Sequence, residues 1–101
     1  MEQIEIKRYL LDKGILPNLK GFEFLSKAIY MCQADRRLLH ELTKRLYTGI
    51  AEDFNETTIR VERAMRHAIS SLKPHRTIGE FLAFALFEID EIEYRLRRSK
   101  C

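Results

Sequence analysis

Arg60, Glu62, Arg63, Arg66 and His67 fall within one short stretch, just after the polar run Asn55-Glu56-Thr57-Thr58. Advancing about 100° per residue from Arg60 centres the apolar stripe of Val61, Met65, Ala68 and Leu72 near about 110°. Arg63 then lies almost opposite that stripe. Arg60, Arg66 and His67 stand to either side of it, and Glu62 lies at the edge of the polar face. Between positions 57 and 76 the fixed charges are Arg60, Arg63, Arg66, Lys73 and Arg76 against Glu62 alone. The whole chain carries only +3, so its positive surplus is local to this segment. Such a face suits a polyanion. An arginine can donate two parallel hydrogen bonds to guanine, and a glutamate can accept from the cytosine N4 amino group. The hydroxyls of Thr57 and Thr58, with a helix N-terminus, suit a phosphate. Two plainer readings stay open. The basic face can simply be solvated, as on many amphipathic helices, and Glu62 can pair with Arg66 at four-residue spacing.

The elements that would carry this face are helical. Apolar spacing predicts a first helix over about residues 3–13, anchored by Leu10 and Leu11 and stopped near Gly14. A second is expected over Lys20–Ala34, through Phe22, Leu25, Ala28, Ile29 and Cys32. Asp35 reads as the cap of a third helix through Leu38, Leu39, Leu42 and Leu46. Residues 48–54 read as a brief helix with Ile50, Ala51 and Phe54 turned inward. Asn55-Glu56-Thr57 is a polar break with capping chemistry, and the basic helix follows. Together these give a helix-turn-helix over about 48–72. Thr77-Ile78-Gly79-Glu80 is a capping box that starts a last helix over about 77–97. Its main stripe is Ile78, Phe81, Leu82, Ala85, Ile89, Ile92 and Leu96. Phe84, Phe87 and Tyr94 point elsewhere. Either an earlier helix covers them or they form a dimer surface.

The expected fold is one all-α domain over residues 1–101, compact, with about six helices. At 101 residues there is room for one core. Four glycines and two prolines count against a turn-rich β fold. No apolar run approaches the ~18–20 residues of a membrane helix, and the setting read from the two cysteines, Cys32 and Cys101, is a reducing cytoplasm. Cys101 is the last residue, so it forms no prenylation box. His40, His67, His75 and the cysteines have no metal-binding spacing. No phosphate loop, nucleophile elbow or metalloprotease signature occurs. The expectation is therefore a protein without cofactor, metal or enzymatic activity.

The run from Leu46 to Ile69 resembles the C-terminal DNA-binding domain of the stage-zero sporulation regulator, protein A. Arg60-Val61-Glu62-Arg63-Ala64 followed by Arg66-His67-Ala68-Ile69 carries most of the likeness. Gly14-Ile15, Leu19-Lys20-Gly21-Phe22, Leu25, Ala28-Ile29 and Leu42-Thr43-Lys44 extend it upstream, and Lys73-Pro74 with Glu80-Phe81-Leu82-Ala83 downstream. The resemblance implies an all-helical domain that binds a promoter element in the major groove. It implies base-edge roles for Arg60, Glu62 and Arg63. It implies phosphate or flanking contacts for Asn55, Thr57, Thr58, Arg66, His67 and Lys44. The partner implied is double-stranded DNA, with a homodimer through Phe84, Phe87 and Tyr94 as a further candidate. The family carries a receiver domain ahead of this one, whereas the likeness here begins close to Met1, so a freestanding version is expected. Only Ser70-Ser71-Leu72 stand where the family has a longer stretch associated with the RNA polymerase sigma factor, which counts against that contact. The expected activity is sequence-specific transcriptional regulation, as a repressor or site competitor. The alternative is a helical protein-interaction module or antagonist of a related regulator.

Overall fold

The computed structural model describes residues 1–99, so Cys101 lies outside the described residues. Among the described residues five α-helices follow in chain order: α1 (Gln3–Asp12), α2 (Lys20–Ala34), α3 (Tyr47–Phe54), α4 (Thr58–Ile69) and α5 (Ile78–Ser99). Among the described residues there is no strand. Five helices, rather than six, is a correction with a local cause. The stretch read as one helix through Leu38 and Leu46 is split. Arg36–His40 winds as a tight 3₁₀ turn and Leu42–Leu46 as a wide π turn that runs directly into α3. Glu41 breaks them apart, with φ −138° and ψ 47°. The Asp35 carboxylate caps the 3₁₀ turn by accepting from the Arg37 amide at 3.1 Å, and it also binds the Arg37 guanidinium at 3.0 Å.

α2 is the central helix and touches all four others. Its composition explains this position. Phe22, Leu25, Ala28, Ile29 and Cys32 bury one face, and Phe24 and Ser26 extend burial around the cylinder. Cys32 is fully buried, and burial pushes its thiol up to about 11. The closest approach is to α4. A Cβ built on Gly21 would lie 2.1 Å from the Ala64 carbonyl oxygen and 2.7 Å from the Ala68 Cβ. Only a residue without a side chain lets the two backbones meet this way.

α1 is held by Ile6, Tyr9 and Leu10; Leu11 is exposed and does not anchor it. Tyr9 donates to Glu88 of α5 at 2.6 Å, and Lys13 donates to the same carboxylate at 2.8 Å. Burial, and then this hydrogen bond, raise the Tyr9 hydroxyl well above its ordinary range. α5 begins with the expected capping box. The Thr77 amide donates to Glu80 at 2.9 Å and the Glu80 amide to the Thr77 hydroxyl at 3.1 Å. Ile78, Phe81, Leu82, Ala85, Leu86 and Ile89 are buried, but Leu96 at the far end is exposed.

Among the described residues no neighbouring helix covers the other side of α5. Phe84, Phe87 and Tyr94 are 52%, 63% and 53% exposed. Covering by an earlier helix is thus corrected: α2 packs against α5, and α1 meets it through the Tyr9 and Lys13 bonds to Glu88. Arg76 stacks on the Phe84 ring with its guanidinium carbon 4.0 Å from the centroid, and Arg98 donates to the Tyr94 hydroxyl at 3.2 Å. No helix among the described residues is long and apolar enough to cross a membrane.

Candidate nucleic-acid interface

α3 and α4 are joined by residues 55–57 alone. Asn55 makes this turn possible. It takes the left-handed conformation, with φ 52° and ψ 50°, at the end of α3. The Glu56 amide then reaches back to the Ala51 carbonyl at 2.9 Å and the Asn55 amide to Glu52 at 3.4 Å, satisfying carbonyls that the helix end would otherwise orphan. Asparagine tolerates this backbone better than most residues with a side chain. The next residue but one, Thr57, caps α4: its hydroxyl oxygen accepts from the Arg60 amide at 3.2 Å. The hydroxyl proton stays available to an acceptor outside the protein. The amides of Thr58 and Ile59 have no partner within the helix.

α4 is buried along Val61, Met65, Ala68 and Ile69 against α2, α3 and α5. Ile50 and Ala51 of α3 pack beneath it; Phe54, expected inward, is instead exposed at the rim, with its ring edge-on to Phe24 at 5.1 Å. The opposite face of α4 carries Ile59, Arg60, Arg63, Arg66 and His67, all exposed. Its first turn contains no acidic residue and its last turn carries Arg66 and His67. The N-terminal end of the helix dipole is therefore left for an outside anion.

The cations on this face are not equivalent. Arg66 pairs with Glu62 at 2.7 Å, so the four-residue pair is real. Glu62 is half-buried beside Tyr47 of α3, whose hydroxyl is raised chiefly by burial and then by the Glu62 charge. A carboxylate has lone pairs for more than one donor, so the pair with Arg66 leaves Glu62 able to accept another hydrogen bond. Arg60 lies 3.6 Å from Glu56, which sits at the same distance from Lys20 of α2. The spacing of the polar break assigns Glu56 to capping chemistry, and the structure gives it a pairing role instead. Its side chain is only 16% exposed, and it ties the turn to both helices. The signal was present as its four-residue spacing from Arg60. Arg63 stands apart. Among the described residues it has no ion-pair or hydrogen-bond partner, and it projects from the centre of the outer face.

The structure thus brings Thr57, Thr58, Arg60, Glu62, Arg63, Arg66 and His67 onto one short helix and its cap, with Asn55 setting the turn. Lys44 is exposed on the π turn before α3, and no hydrogen bond or ion pair among the described residues links it to α4. No three His, Cys, Asp or Glu side chains among the described residues converge as a metal site. The family model described as sporulation initiation factor Spo0A C terminal matches residues 6–99, from within α1 to the end of α5.

Proposed function

Since the chain belongs to the sporulation initiation factor Spo0A C-terminal family, a family of DNA-binding regulatory domains, we propose that it reads double-stranded DNA by laying α4 in the major groove. In this reading α3, the turn and α4 act as a helix-turn-helix. Arg60, Glu62 and Arg63 meet base edges. Asn55, Thr57, Thr58, Arg66 and His67 meet phosphates or flanking sugars, and Lys44 adds a more distant phosphate contact. The observation that carries the reading is Arg63, exposed and without an ion-pair or hydrogen-bond partner among the described residues, at the centre of an acid-poor helix face. No group among the described residues holds that guanidinium, which leaves its donors for a bidentate contact to guanine. Arg60 and Arg66 exchange weak surface pairs for DNA contacts at little cost, since exposed pairs contribute only about 0–1 kcal/mol.

Two further assignments belong to this reading. The exposed Phe84, Phe87 and Tyr94 on α5 support pairing with a second copy, so that two recognition helices address half-sites one turn of DNA apart. The short link between Ile69 and Ile78 favours a repressor or site competitor over an activator that touches sigma factor. Gel shifts at rising salt test the central assignment, using a duplex with the sporulation regulator's promoter element and a scrambled duplex. Preference for the element that persists as salt rises supports it. Equal retention of both duplexes turns the basic face into a general docking surface and favours a protein-interaction module.

A further inference from the structure

Ile59 is the one apolar side chain on the outer face of α4, and it is 65% exposed. On a helical projection it falls between Arg63 and Arg66, about 100° from Arg60. It sits in the first turn, directly after the Thr57 cap and Thr58. Neither packing nor helix formation calls for isoleucine there. It belongs neither to the buried core nor to the partly buried apolar residues packed against it, and a β-branched residue loses side-chain freedom in a helix. Scattered exposed apolar residues are ordinary on protein surfaces. This one is ringed within a single turn by Arg60, Glu62 and Arg63, in the part of a recognition helix that approaches base edges. In the major groove the complementary apolar feature is the C5-methyl group of thymine.

We propose that Ile59 is a specificity-determining residue that packs on a thymine methyl group beside the base pairs read by Arg60 and Arg63. The assignment rests on the groove-binding mode proposed above and adds a base preference to it. A cationic helix without Ile59 recognises hydrogen-bonding edges only. With Ile59 it discriminates thymine from cytosine at a neighbouring step, because cytosine lacks the methyl group and presents a donor instead of an acceptor.

The experiment uses duplexes that the protein itself selects from a random pool. Each thymine in the selected site is replaced in turn by deoxyuridine, which removes only the methyl group. Binding of the wild-type chain and of Ile59→Ala is then measured by fluorescence anisotropy. Ile59 is exposed, so the alanine variant keeps the fold, and circular dichroism verifies this. The expected result is a loss of about threefold to fivefold at one deoxyuridine position for the wild type, the size of one buried methyl group. Ile59→Ala should bind the methylated and unmethylated duplexes alike. Methyl sensitivity at no position, or equal sensitivity in Ile59→Ala, overturns the assignment while leaving groove binding intact. Failure to select any duplex overturns groove binding and this assignment with it.

Discussion

Replacing Gly21 with alanine sets two effects of opposite sign against each other. Helix propensity alone favours alanine over glycine by up to about 1 kcal/mol within a helix. The geometry opposes this. The new Cβ would lie 2.1 Å from the Ala64 carbonyl oxygen, 2.7 Å from its carbon and 2.7 Å from the Ala68 Cβ. All three belong to backbone or to a side chain with no rotamer to change, so relief requires α2 and α4 to separate by about 1 Å. That loosens the contact which seats Val61, Met65 and Ala68. Overpacking of this kind costs about 1–3 kcal/mol, and more where backbone must move. The net expectation for Gly21→Ala is a loss of about 2 kcal/mol, or a fall in Tm of about 10 °C for a domain of this size. Gly49→Ala is the matched control. Its Cβ would meet Met31 Cε at 2.7 Å, the far end of a flexible side chain that can swing aside. Propensity should win there, leaving stability unchanged or raised by up to about 1 kcal/mol. Thermal unfolding followed by circular dichroism measures both. Equal or greater stability of Gly21→Ala would refute the claim that glycine is needed to seat α4 on α2.

Two other tests follow from contacts elsewhere in the fold. Asn55 has φ 52°, so Asn55→Gly should be neutral or slightly stabilising, while Asn55→Ala should lose about 1 kcal/mol; an alanine variant as stable as the glycine variant would contradict the left-handed turn. The Lys13 ammonium, and next the Tyr9 hydroxyl, hold the Glu88 carboxyl below its ordinary range. The folded state therefore keeps Glu88 ionised where the unfolded chain is already protonated, and its stabilising contribution is present above about pH 4.3 and fades as pH falls through the lower folded value. The Tm gap between wild type and Glu88→Gln should accordingly shrink on acidification; a gap independent of pH would place the effect of the substitution elsewhere.

Local chemistry made much of the fold legible. The spacing of Phe22, Leu25, Ala28, Ile29 and Cys32 marked α2 at its observed limits, and Thr77 with Glu80 marked the start of α5. The segment through Leu38 and Leu46 departs from its helical spacing for a physical reason. Apolar residues three and four apart fit α, 3₁₀ and π windings alike, and the break at Glu41 carries neither glycine nor proline. Phe54 and Leu96 have inward spacing but sit where the inner layer ends, a tertiary fact that periodicity does not contain. The outer face of α4 was legible because charge and period agree there. The grip of Glu56 on Lys20 is not, since it joins residues far apart in the chain. The contact between Gly21 and Ala64 is hidden for the same reason.

Base recognition by α4 is tested most directly by selecting bound duplexes from a random pool with the wild-type chain and with Arg63→Ala. The wild type should enrich a defined element, and Arg63→Ala should relax the preference at one guanine, at a cost of about 1–3 kcal/mol for that element. No enriched element for the wild type, or a loss in Arg63→Ala that is equal on every sequence, would contradict base recognition by α4.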